Sequence, residues 1–251
     1  MHDLRQIIQD DDYSFPYHYV PQFREEYTHT YSWPWGIYYA SAMEFVLDRL
    51  ALLNPASIAD IGTGDGRMVR EINLTLPNKK VMGFDYSERA IQLAKALNPT
   101  LEFYQADITK NTITERFDVI TLIEVFEHIP LESADDFAKS VRRLLVDNGC
   151  LIITVPHKNI PTSKKHFQHF SAEKLQSYFR DDFIIEKLVF LDKKGPVVSI
   201  VRWILENPYF ILKHWGLRNR IYSFYKRHFL IADEGCCGRI FMQLRAKPLL
   251  E

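Results

Sequence analysis

Cysteine is scarce: Cys150, Cys236 and Cys237 are the only three in 251 residues, with no CxxC pair and too few for a disulfide framework. That usage suits a reducing compartment, and the cytoplasm is the expected address. No uncharged apolar run reaches the ~18 residues that a membrane span needs, because Arg202, Glu206 and Lys213 interrupt the most apolar late stretch. The opening MHDLRQIIQDDDYS lacks the basic start and apolar stretch of a secretory signal. Charge excess is missing too: 31 Lys and Arg stand against 32 Asp and Glu, for a net charge of −1. A nearly neutral chain exerts no global pull on a polyanion, so nucleic acid is not an expected partner. Internal repeats and low-complexity tracts are absent as well. What remains is ordinary globular material, 47% hydrophobic and 25% charged, at a length that suits one domain with elaborations.

The pattern divides the chain into an aromatic N-terminal lid and helix (1–55), a core (56–192), a basic aromatic insert (193–236) and a last core strand with the C-terminus (237–251). Residues 1–50 hold 8 acids and 3 Lys or Arg, whereas residues 193–231 hold 8 Lys or Arg and 1 acid. In the core, short apolar runs alternate with helix-period segments, the signature of βα units on a mostly parallel sheet. Strands are expected at 57–61, 81–85, 101–106, 117–123, 151–155 and 183–191, and the last at 238–247. Helices are expected at 38–53, 67–74, 87–96, 134–145 and 171–179.

The first expected strand runs straight into Gly62-Thr63-Gly64-Asp65-Gly66 and then a helix. Glycines let backbone approach a ligand closely, and the helix N-terminus adds unpaired N–H groups and positive potential. Asp60, Asp85 and Asp107 each end one of the first three strands, so one sheet edge collects three carboxylates where open α/β sheets bind ligands. A dinucleotide fingerprint GxGxxG would need glycine at Arg67.

These motifs, with IADIGTGDG, VMGFDYS, FYQADI, FDVITLIEVFEHI and VRRLLVDNGCLIITVP in that order, resemble the class I S-adenosylmethionine-dependent methyltransferases over residues 56–192. The resemblance implies an α/β, Rossmann-like, doubly wound seven-stranded sheet with an N-terminal helical lid and a helical insert before the last strand. It implies S-adenosylmethionine as cofactor, with Asp60, Gly62 and Gly64 at its methionine part, Gly66 as a further cofactor contact and Asp85 at the ribose. Asp107 and Ile108 would meet the adenine, Phe84 and Tyr86 would pack beside the adenosine, and Glu124 would stand at the junction with the acceptor.

Glu124-Val125-Phe126-Glu127-His128 follows the fourth strand and is similar to the ExxEH element that supplies divalent-metal ligands in some O-methyltransferases. Two readings stand: Glu124, Glu127 and His128 hold Mg, Mn or Zn, or the segment serves a metal-free site, as related enzymes have it. His157, His166, His169 and His18 could each add a ligand. Methyl transfer to a hydroxyl also needs a base or a metal, and His128 or His157, with Glu124, are the candidates. HFQHFS (166–171) resembles the opening of the sixth helix in many small-molecule methyltransferases, with Ser171 as N-cap.

The aromatic stretch 13–21 with Trp33-Pro34-Trp35 reads as a lid over an acceptor. Residues 195–231 interleave aromatics with Arg and Lys, a composition that suits peripheral contact with a membrane surface, a phosphate-bearing acceptor, a homodimer face or a plain helical cap. The expected function is O-methylation of a small or glycan-like acceptor: a sugar, nucleotide-sugar or lipid-linked saccharide. The alternatives are a membrane-associated quinone or lipid-pathway O-methyltransferase and a non-catalytic S-adenosylmethionine-binding protein.

Overall fold

The structure is a computed structural model that describes residues 4, 5, 7, 8, 36–110, 113–205, 209, 210, 212 and 214–248. The aromatic stretch 13–21, His18 and Trp33-Pro34-Trp35 lie outside the described residues. Helix α1 (Gly36–Leu53) leads into β1 (Ser57–Ile61), α2 (Arg67–Thr75), β2 (Lys80–Asp85), α3 (Glu88–Leu97) and β3 (Glu102–Gln105). Then come β4 (Phe117–Ile123), α4 (Ala134–Arg143), β5 (Leu145–Pro156), α5 (Ala172–Phe179) and β6 (Phe183–Leu191). Helices α6 (Pro196–Leu205) and α7 (Trp215–Phe229), the short β7 (Ile231–Ala232) and β8 (Arg239–Ala246) complete the order.

The strands form one sheet in the order β3-β2-β1-β4-β5-β8-β6-β7. Strands β1 to β5 are parallel, and β8 pairs antiparallel with both β5 and β6. This is the expected mixed α/β sheet, with its order reversing between β1 and β4, the crevice where such sheets take ligands. Because side chains alternate along a strand, Val119 of β4 joins the core on one face and Ile120 the core on the other. The first core holds Phe126, Phe137, Phe170 and Phe179 from around α4 and α5. The second holds Val46 and Leu50 of α1, Ile72 of α2 and Tyr225 of α7. Local caps agree with the sequence: Ser87 Oγ accepts the Ala90 N–H at 3.2 Å and starts α3, and Ser171 Oγ accepts the Lys174 N–H at 3.2 Å and starts α5.

Two details differ from expectation. Strand β5 begins at Leu145 rather than Leu151: Phe117 pairs with Leu145 and Val119 with Cys150, and the extra residues bulge around Asn148 at φ 60°. An eighth strand, β7, adds Ile231 and Ala232 to the edge beside β6, too short to leave a periodic signal.

Three cations of the basic stretch 193–231 turn towards α1, whereas Arg218, Arg220 and Arg227 are exposed. Lys194 Nζ lies 4.0 Å from the Tyr38 ring centre, Arg202 approaches the same ring at 5.2 Å, and Lys226 pairs with Glu44. Glu44 of α1 thus meets the basic stretch through Lys226 of α7. No described helix is long and apolar enough to cross a membrane.

Candidate functional site: a cleft at the β1–β4 crossover

Gly62, Gly64 and Gly66 have φ of 72°, 56° and 79°, a region costly for any side chain. Space forbids one as well: a Cβ on Gly62 would collide with Val125, and one on Gly66 would stand 2.6 Å from Phe103 Cζ. The alternation GxGxG is therefore a backbone requirement of the turn from β1 into α2.

Three acids surround this loop. Asp60, 2% exposed, accepts from Thr121 Oγ1 at 2.7 Å, and burial lifts its pKa to about 6 against that hydrogen bond. Asp85 is a brace: Oδ2 accepts the Gly64 N–H and Oδ1 the Ser87 N–H, each at 2.9 Å, which joins the glycine loop to the start of α3. Asp107 is partly buried, which raises its pKa, but Thr109 N–H and Oγ1 and the ammonium of Lys110 outweigh that and hold it below the usual carboxylate range.

A cleft of about 260 Å³ opens at the carboxyl ends of β1 to β4, close to the ~300 Å³ at which small-ligand pockets begin. Gly62, Asp85, Tyr86, Asp107, Ile108, Glu124 and His128 line it. Asp60, Gly64 and Gly66 do not: they shape the loop behind its wall.

Glu124 departs from the expected ligand set. At φ 55° it turns back onto the sheet, where Oε1 accepts from Thr154 Oγ1 and Arg239 Nε, both at 2.9 Å. Arg239, buried at the start of β8, also donates from Nη1 to Asp192 Oδ2 at 2.6 Å and to the Tyr38 carbonyl at 3.1 Å. Tyr225 of α7 donates to Asp192 Oδ1 at 3.2 Å. Burial raises the Asp192 pKa even beside the guanidinium, while Glu124 and Asp192 more than offset the burial that would discharge Arg239. Sequence reading missed Arg239 and Asp192; the one signal was an arginine directly before the apolar run Ile240-Phe241-Met242 in the strand RIFMQLRA.

Glu127 and His128 sit on the turn after β4 and meet His166 rather than Glu124. Burial, then the charge of Glu124, raises the Glu127 pKa well above the carboxylate range. Burial, with His128, His169 and Lys165 adding to it, pushes His166 down to about 3, and burial also lowers His169. His157, the other expected base, does not line the cleft: its Nδ1 accepts the Asn159 N–H at 3.1 Å and its Nε2 faces Glu234 Oε1 at 3.5 Å. Its bonds secure the loop after β5.

Residues 58–149 match the family model described as methyltransferase domain. Curated relatives include the protein-lysine N-methyltransferase EFM4 of Saccharomyces cerevisiae, 28% identical over 45% of this chain and 57% of that protein. The mitochondrial ubiquinone biosynthesis O-methyltransferase of Schizosaccharomyces pombe is 25% identical over 64% of this chain and 61% of that protein. The alignments thus span less than two thirds of either relative. Among solved structures, N-methyltransferase NodS from Bradyrhizobium japonicum WM9 in complex with S-adenosyl-L-homocysteine superposes with TM-score 0.58 at 15% identity, over 86% of this chain and 92% of NodS.

Proposed function

Because residues 58–149 belong to the methyltransferase domain family, on a sheet of class I methyltransferase type, we propose that this protein transfers the methyl group of S-adenosylmethionine to a hydroxyl of a small acceptor. The observation that carries the cofactor is the turn after β1, where three left-handed glycines and the Asp85 brace stand at the edge of a ligand-sized cleft. In this reading Asp60 faces the cationic amine of the methionine part across the glycine loop, Asp85 and Tyr86 meet the ribose, and Asp107 and Ile108 meet the adenine. The acceptor oxygen attacks the methyl carbon in line, the carbon–sulfur bond breaks, and its electron pair stays on sulfur as a neutral thioether. Alignment of the two reactants supplies much of the rate. The acceptor proton must also leave, and His128 in the cleft wall supports a role for the histidine cluster in that step.

The ubiquinone biosynthesis relative, named an O-methyltransferase and aligned over 64% of this chain, supports an oxygen acceptor. A lipid-linked acceptor is favoured by Val197, Ile200 and Trp203, which α6 exposes together. The test is transfer of labelled methyl from S-adenosylmethionine into cell extract separated into saccharide, lipid, RNA and protein fractions. Label in the saccharide fraction supports a glycan hydroxyl, and label in the lipid fraction supports the membrane-facing reading. Label in protein alone would replace the hydroxyl with a protein side chain. No label, with cofactor binding intact, would leave a binding protein.

A further inference from the structure

Beside the cleft, a carboxylate oxygen of Glu127 and one ring nitrogen each from His128 and His166 lie within 4.8 Å of one another. Glu127 is 1% exposed, and its Oε2 has no hydrogen-bond partner among the described residues. Buried carboxylate oxygens are rarely left so, since desolvation without a partner is costly.

The bonds behind the two imidazoles fix which nitrogen each presents. A carbonyl only accepts, so His169 donates from Nδ1 to the Ile160 carbonyl at 2.9 Å, and its neutral ring accepts at Nε2. His166 therefore donates from Nδ1 to His169 Nε2 across 2.8 Å and carries its lone pair on Nε2. His128 is oriented the same way, with Nδ1 donating to the Lys165 carbonyl at 3.0 Å. The Phe167 N–H adds a bond to the Glu127 carbonyl at 2.9 Å, which ties the two loops together. Anchored Nδ1–H groups behind lone-pair Nε2 atoms are the outer shell that orients metal-bound histidines.

We propose that Glu127, His128 and His166 bind one divalent first-row transition-metal ion on the acceptor side of the cleft, with His169 as the residue that orients His166. Two imidazoles and one carboxylate suit Zn²⁺, Mn²⁺ or Fe²⁺, whereas Mg²⁺ and Ca²⁺ prefer oxygen donors throughout. Glu124 is outside the set because Arg239 and Thr154 hold its carboxylate. Three protein ligands leave coordination open, as in catalytic rather than structural sites. The ion's role rests on the methyl-transfer reading: an acceptor hydroxyl bound to it releases its proton to water more readily, and the oxygen then takes the methyl group.

The test uses the full chain stripped with EDTA and titrated with Co²⁺, followed by visible absorption and competition with Zn²⁺, while S-adenosylhomocysteine binding is measured on the same sample. One equivalent of Co²⁺ should bind with ligand-field bands. Glu127→Gln, which keeps the side-chain shape, and His166→Ala should each weaken binding at least 100-fold, and His169→Ala about 10- to 100-fold. No saturable binding in protein that still takes S-adenosylhomocysteine would overturn the site and spare the methyl-transfer reading. Metal binding without S-adenosylhomocysteine binding would support the site and overturn that reading. Unchanged affinity in Glu127→Gln would overturn the ligand assignment.

Discussion

At Gly62 two requirements coincide, a φ of 72° and a neighbour, Val125, that leaves no room for a methyl group. Gly62→Ala should therefore lower stability by about 1–3 kcal/mol and weaken S-adenosylhomocysteine binding by calorimetry. Asp60 makes a pH-dependent contribution of known sign. Its pKa rises from 3.8 to about 6 on folding, so burying it costs nothing below pH 3.8 and the full amount above pH 6. At ~1.4 kcal/mol per unit, Asp60→Asn should stabilise the cofactor-free protein by about 3 kcal/mol at pH 7, with the gain vanishing towards pH 4 in urea titrations. The cationic amine of the cofactor should pull that pKa back down. Binding near pH 5.5 is then expected to release protons, read from calorimetry in buffers of different ionisation enthalpy. The glycines and the three acids were legible because each answers a local demand, a turn or a strand end. The Glu124 partner was not, since Arg239 lies 115 residues away and only the sheet order brings it near.

Among the elements, strands and helices of the core were readable from period and caps, as Ser87 and Ser171 illustrate. The bulge in β5 escaped because Asn148-Gly149 looks the same in a bulge as in a turn. The link between α7 and the cleft also escaped, since it runs through Asp192 just after β6, Arg239 at the start of β8 and Glu124 just after β4. Arg239→Met should leave buried Asp192 and half-buried Glu124 without their guanidinium partner, which costs about 3–5 kcal/mol in denaturant unfolding. Tyr225→Phe removes one hydrogen bond to Asp192 and should cost about 1 kcal/mol. Equal effects from the two variants would contradict the central position of Arg239.

For the whole molecule, cofactor binding is coupled to folding. S-adenosylhomocysteine at 100 times its Kd should add about 2.7 kcal/mol, a rise in Tm of roughly 5–10 °C for a domain of this size. Asp85→Ala should abolish that rise in a thermal-shift assay, because the carboxylate that braces the glycine loop is gone. A full shift in this variant would remove Asp85 from the cofactor site. A mostly parallel sheet was expected, and the cleft lies at its parallel half. The inward use of Lys194, Arg202 and Lys226 was not, since a run of cations in sequence does not reveal that Tyr38 and Glu44 wait opposite.

Strand β8 lies between β5 and β6 although it follows both in the chain. Neither can complete its pairing until β8 arrives, so closing the sheet needs a long-range insertion, the kind of step that slows folding. Arg239 opens that strand, and with it comes the only guanidinium that holds Glu124 at the cleft wall among the described residues. A nascent chain stalled before β8 would therefore display its glycine loop beside a Glu124 that lacks its guanidinium partner.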